Sequence, residues 1–416
     1  MKGVIAAGDQ HTAAAGAAIL RRGGNAVDAA VAAAFASFIA EIGFVHLGGS
    51  GLAQLYDPAT GQATVYDFFS NMPGLGRTPP AQLDFHRVTV DFGGATQDFH
   101  IGRASVAVPG NIFGLCQLAA DRGSLSLDVL LEPALSLARD GLPLPPFQAY
   151  ACSLLEPIFR HSPSVRAVFE REGRLLRGGE RLFVPDLAET LQEIAAHGPD
   201  ALRGGRLGQA LLDDQASRGG LITPDDLAQY EVMRQTPIEL SYRGYEVRLP
   251  GPPSGGGALL AFALKLLSRF VLDFPPNSAP HLRLLCEVQA AAQRARLIWE
   301  RERRQDPAQA LATLLDEAVI GEYAAAIRIA IAKQQPSSAP PEPTGPGNTS
   351  HLSVLDETGL AVSLTTTAGE SAGFIVPGTG MIPNNMGGEA DLHPQGFHVR
   401  PAGQRIPTMM TPIIVT

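Results

Sequence analysis

Cysteine is scarce in this chain. Three occur in 416 residues, Cys116, Cys152 and Cys286, and they lie far apart. That spacing supports neither a disulfide framework nor a cysteine-based metal site, and it predicts buried structural thiols. A reducing compartment is compatible with that usage. Charge is also sparse, at 18% of residues, and the net charge of −9 excludes nucleic-acid or membrane binding driven by overall charge. Long apolar runs are missing. The Ala-rich run 29–40 is shorter than a bilayer span and is flanked by Asp28 and Glu41, so it is expected as a buried helix. The opening residues 1–9 read as a short strand rather than a signal peptide, and without an export signal the expected location is cytoplasmic. His46, His351, His393 and His398 have no metal-ligand spacing, and Gly48-Gly49-Ser50-Gly51 lacks the Lys-Ser/Thr of a phosphate loop. No metal or organic cofactor is expected.

What is present reads as a globular enzyme. Hydrophobic residues make up 45% of the chain, and the length suits one large or two ordinary domains. Residues 3–52 read strand, helix, helix, strand, with a helix-ending Gly23-Gly24 and a second helix over 26–42. The strands 52–56 and 62–69 flank a turn at Asp57-Pro58-Ala59-Thr60-Gly61. Residues 70–104 read as loop, 104–110 as a strand and turn, and 124–330 as mainly helical. Thr223-Pro224-Asp225-Asp226 is a helix start. The charge run Glu300-Arg301-Glu302-Arg303-Arg304, after the single Trp299, reads as a solvated helix end. Residues 334–347 carry five prolines and read as a flexible linker.

The chain is organised around Asn348-Thr349-Ser350-His351-Leu352-Ser353-Val354, which follows that linker. An alternating strand, 352–356, a turn and a second strand, 361–367, come next. A threonine between a flexible loop and a buried strand can become a new N-terminus. With a free α-amine it is nucleophile and base in one residue. The plain alternative is a hairpin that uses threonine for strand propensity.

Further blocks run collinearly through the chain: Arg21-Arg22-Gly23-Gly24-Asn25-Ala26-Val27-Asp28, Gly48-Gly49-Ser50-Gly51, Val108-Pro109-Gly110, Tyr242-Arg243-Gly244-Tyr245 and Pro252-Pro253-Ser254-Gly255-Gly256. Together with Thr349-Ser350-His351 they resemble the γ-glutamyltransferases (γ-glutamyltranspeptidases) of the N-terminal-nucleophile hydrolase superfamily. The resemblance implies an α+β fold, a four-layer αββα sandwich, truncated here at its C-terminus. It implies a zymogen cut between Asn348 and Thr349 into a large-subunit region, 1–348 with linker 334–348, and a small-subunit region, 349–416. Thr349 would then attack a γ-glutamyl or acyl amide of small-molecule, glutathione type. Water or an amino acid would take the acyl group. Thr367 matches the second threonine that bonds the nucleophile. Asn385, Glu389 and Thr408 match substrate-binding positions, with Glu389 holding the substrate amine and Asp391 beside it.

The departures from the pattern are specific. Phe69, in Asp67-Phe68-Phe69-Ser70, stands where the family has an arginine for the substrate α-carboxylate, and a phenyl ring cannot form that charge-assisted fork. Thr408-Met409 replaces a serine pair, and Gly369 replaces an asparagine. Arg77 and Arg103 are candidates for the missing cation. The family's Gly-Gly oxyanion hole would fall beyond residue 416. Three readings follow. The first is an autoprocessing γ-glutamyltransferase-like enzyme. The second is a relative acting on a different acyl group, which Phe69 and Met409 favour. The third is an uncleaved, inactive remnant.

Overall fold

The computed structural model describes residues 2–303, 305–338 and 349–416. They fall into two compact units. The larger holds residues 2–62, 66–234 and 349–406; the smaller holds 63–65, 235–338 and 407–416.

The chain begins with β1 (Gly3–Ala7), α1 (Gln10–Arg21) and α2 (Ala26–Ala40). All fifteen residues of α2 are buried, and eight of them are alanine. Its N-terminus is held twice. Asn25 and Asp28 close a reciprocal capping box. Asp356, far along the chain, accepts from the Ala26 amide at 3.0 Å. Small residues let the helices approach: a Cβ on Gly16 of α1 would lie 2.9 Å from the Ala29 carbonyl oxygen of α2.

Next come β2 (Ser50–Asp57) and β3 (Gln62–Phe68). A hairpin follows, β4 (His86–Asp91) and β5 (Thr96–Ile101), paired from His86↔Ile101 to Asp91↔Thr96. It corrects the expectation of loop over 70–104. The alternation there is hidden because both faces carry polar residues and only Val90, Phe99 and Ile101 are buried. Helices α3 (Asn111–Arg122), α4 (Leu127–Asp140) and α5 (Leu187–His197) follow, then β6 (Met233–Gln235). Residues 103–105 form a short 3-10 turn, so the strand expected over 104–108 is reduced to a bridge between Val108 and Asn71.

The smaller unit contains β7 (Ile238–Tyr242), β8 (Tyr245–Leu249) and helices α6 (Gly255–Leu267), α7 (Ala279–Glu302), α8 (Pro307–Leu314) and α9 (Glu317–Ala332). The helices pack around Trp299, Phe262, Leu314, Ile320 and Ile327. The charge run after Trp299 is not uniformly solvated, because Arg303 is buried and bonded to Glu300. Cys286, on α7, is exposed, against the expectation of three buried thiols.

The nucleophile candidate opens β9 (Ser350–Asp356), and β10 (Ala361–Thr367) returns beside it. Burial alternates strictly along β9, as its sequence predicts. The six-stranded sheet runs β1-β9-β10-β2-β3-β6. Helix α1 lies against β1, and α2 against β9 and β10. The last strand, β11 (Ile414–Val415), joins β7 and β8 in a three-stranded sheet. Among the described residues no helix is long and apolar enough to cross a membrane.

Candidate active site

Thr349 lies at the mouth of β9 and is exposed; Asn348 lies outside the described residues. The last β9–β10 pair is Ser350↔Thr366. Thr349 precedes Ser350 and Thr367 follows Thr366, so each threonine lies one residue beyond that pair at the same end of the two strands. On its other side Thr367 pairs with Ser50 of β2. The sheet thus brings the two threonines, 18 positions apart, to one edge. The Thr367 hydroxyl oxygen accepts from the Gly369 amide at 3.0 Å.

The glycines around β2 make this edge possible. A Cβ on Gly49 would stand 2.3 Å from the Thr367 carbonyl oxygen, and one on Gly51 would stand 2.6 Å from that of Thr365. Ser50 Oγ lies 2.7 Å from Ser70 Oγ and accepts from the Gly110 amide at 2.8 Å.

Ser350 is tied down from behind. Its hydroxyl donates to Glu41 at 2.6 Å, and Thr12 donates to the other Glu41 oxygen at 2.7 Å. Burial pushes the Glu41 carboxyl above its ordinary range, while the two hydroxyls oppose that shift. Gly8 leaves room for it: a Cβ there would meet a Glu41 oxygen at 2.5 Å. Sequence reading placed Glu41 only as a helix flank. Its signal was a lone acid ending an apolar helix.

Past β10 the chain turns at Gly369, at φ +62°. A Cβ here would lie 2.2 Å from both Asn385 Oδ1 and Glu389 Oε1. This close approach is a physical reason for glycine in place of the asparagine expected by resemblance. Asn385 Oδ1 accepts from the Glu370 amide at 2.8 Å. Its neighbour Asn384 is a structural clamp that sequence reading missed: its amide donates to the Gly48 and Ala107 carbonyls, both at 2.9 Å. Asn385 and Glu389 thus both approach Gly369, two residues past Thr367. Thr408 belongs to the smaller unit, where its hydroxyl accepts from the Met410 amide at 3.1 Å.

Glu370 is buried, and Glu389 is half-buried beside it. Burial, then the charge of Asp391, pushes Glu370 up to about 8. Burial, then Glu370 and Asp391, holds Glu389 well above the usual carboxylate range. Phe69 is buried, with its carbonyl accepting from the Tyr230 hydroxyl at 2.8 Å. Arg103 is committed elsewhere: it bonds Asp214 at 3.0 Å and Asp84 at 3.2 Å, and lies over the Phe374 ring. Arg77 lines a separate cavity of about 260 Å³ with Met72, Leu221, His398 and Arg400. His351 bonds Thr365 at 2.8 Å and Ser353 at 3.1 Å, within the sheet. Among the described residues no group of His, Cys, Asp and Glu could hold a metal ion.

The model of the family described as gamma-glutamyltranspeptidase matches residues 12–416. The chain belongs to the γ-glutamyltranspeptidase family. An "Acylase ACY 1 proenzyme" of Pseudomonas sp. (strain V22) is 36% identical over 99% of the chain and 74% of its own length. A "Glutathione hydrolase proenzyme" of Bacillus subtilis (strain 168) is 31% identical over 99% of the chain and 72% of its own length. Among solved structures, a cephalosporin acylase from Bacillus halodurans superposes at a TM-score of 0.80 with 24% identity, covering 100% of this chain and 75% of that one; this likeness bears on the fold alone. Helicobacter pylori gamma-glutamyltranspeptidase gives 0.66 and 26%, covering 82% and 94%. The fold is therefore the α+β fold of N-terminal-nucleophile hydrolases, and γ-glutamyltranspeptidase family members include both acylases and glutathione hydrolases.

Proposed function

We propose that the chain is an autoprocessing threonine amidohydrolase or acyltransferase. Thr349 Oγ attacks the Asn348 carbonyl carbon. The peptide C–N bond breaks as an ester forms, and water then cleaves the ester. The products are a carboxylate on Asn348 and a free α-amine and hydroxyl on Thr349. In turnover the amine takes the hydroxyl proton, the oxygen attacks an acyl amide, and the leaving amine departs with a proton. Water or an amino acid resolves the acyl-threonine.

The observation that supports this reading is that Thr349 and Thr367 each lie one residue beyond the last β9–β10 pair, at the same strand end. Thr367 steadies the nucleophile oxygen. Asn385 and Glu389 line the acyl side, and Thr408 is carried over as a substrate contact. Glu389 favours a γ-glutamyl donor of glutathione type, because an acid can hold its α-amine. Phe69, and the engagement of Arg103 by two aspartates, favour an acyl group other than γ-glutamyl.

Acid-quenched mass spectrometry after mixing with acyl p-nitroanilides tests it. An acyl adduct on the peptide that begins at Thr349 is expected. Turnover without any adduct there would overturn the mechanism.

A further inference from the structure

Glu370, Glu389 and Asp391 gather beside Gly369, and their neighbourhood is unusual in two ways. First, Glu370 is only 4% exposed, yet its Oε2 has no hydrogen-bond partner among the described residues. A buried acceptor left unmade costs on the order of 1–3 kcal/mol, more when charged. Second, among the described residues none of the three acids forms an ion pair. Neighbouring carboxylates without a counter-charge oppose each other's ionisation. Burial and Asp391 raise Glu370 to about 8, so it holds a proton at neutral pH until a cation arrives.

The cluster stands against the proposed nucleophile. Glu389 Oε1 occupies the space that a side chain at residue 369 would fill, 2.2 Å from that Cβ position. The Gly369 amide is itself bonded to the Thr367 hydroxyl. An acyl chain leaving Thr349 past Thr367 therefore meets a group of carboxyls. A carboxylate on that acyl chain would add one more acid to the group, and two of the nearby guanidiniums are engaged elsewhere. The Arg103 guanidinium is taken by Asp84 and Asp214. Arg405 is half-buried, paired with the Asp67 carboxylate and bonded to the Tyr230 hydroxyl.

On the acyl-threonine reading above, we propose that Glu370 joins Glu389 in a subsite for one ammonium group on the acyl donor, and that the preferred donor carries this amine without an adjacent carboxylate. A γ-aminobutanoyl amide has that chemistry. A γ-glutamyl amide has the amine and a carboxylate, a glutaryl amide the carboxylate alone, and a butanoyl amide neither.

These four p-nitroanilides, assayed with the mature enzyme and with Glu370→Gln, form the test. The γ-aminobutanoyl donor should exceed each of the others in kcat/KM by about tenfold or more, the worth of a charge-assisted bond. In Glu370→Gln the ratio of γ-aminobutanoyl to butanoyl turnover should fall about tenfold, mostly through KM, and Glu370→Asp should restore part of it. A measurement on the parent alone covers a variant that fails to fold: γ-aminobutanamide should inhibit about tenfold better than butanamide. Preference for the γ-glutamyl or glutaryl donor, an unchanged ratio in a folded Glu370→Gln, or equal inhibition by the two amides would overturn the proposal. Absence of turnover with all four donors, with no acyl adduct on Thr349, would sink the acyl-threonine reading itself and this inference with it.

Discussion

Two sets of buried acids in the larger unit behave in opposite ways. At the start of α2 two buried carboxylates are saturated. Asp28 accepts from the Asn25, Ser124 and Leu125 amides and from the Ser124 hydroxyl. Asp356 accepts from the Ala26, Thr358 and Leu360 amides and the Thr358 hydroxyl. Past β10, Glu370 and Glu389 crowd together, and one Glu370 oxygen has no partner among the described residues. Saturated acids fix the helix and strand ends that form the sheet edge. The Glu370 oxygen left without a partner among the described residues carries a cost that a bound ligand would offset. Glu41 lies between the extremes: both its oxygens are taken by hydroxyls, and it braces the residue next to Thr349.

That contrast can be broken or sharpened by substitution. The largest effect is expected at Gly369→Ala. The added Cβ collides with Asn385 and Glu389, and φ is +62°. Activity should fall by about a hundredfold, the scale of a misplaced site, with a smaller loss of Tm. Activity that survives would show that Glu389 moves freely. Asp356→Ala should destabilise by about 3 kcal/mol, read from denaturant midpoints, because four donors lose their acceptor. A loss below about 0.5 kcal/mol would deny the saturated set its structural role.

The acid pair predicts a pH signature of definite sign. Glu370 is raised from 4.5 to about 8, so the folded state binds more protons than the unfolded one between those values. Its contribution to stability is complete below pH about 4.5 and is lost as pH rises toward about 8. Glu389, raised in the same direction, adds to the trend. Tm should therefore decline from pH 5 to 8, and the decline should be shallower in Glu370→Gln. An identical slope in both proteins would contradict the assignment. The smallest effect concerns the thiols. Cys286 is exposed, whereas burial pushes Cys116 and Cys152 up to about 12. A thiol reagent should label one site in the native protein, and Cys286→Ser should abolish that labelling without changing Tm.

Sequence patterning carried much of this fold. The alternation along 352–356, the buried Ala-rich α2 and the helix start at Thr223 are local properties, and the structure has each of them. The hairpin at 86–101 was hidden because a two-stranded ribbon with polar residues on both faces has no clear period. At the site, Thr349, Thr367, Asn385 and Glu389 could be named from a motif. Glu370 could not, because its importance lies in what surrounds it, although it is the one charged residue between Glu357 and Glu389. Arg103 was a candidate cation in the sequence, but only the structure shows the two aspartates that neutralise it.

The central claim is that Thr349 becomes an N-terminal nucleophile. Intact-mass spectrometry of the purified protein, beside Thr349→Ala, tests it most directly. The account predicts two species in the parent, meeting between Asn348 and Thr349, and one uncut chain in the variant. A single uncut mass in both, or the same cut in both, would contradict it.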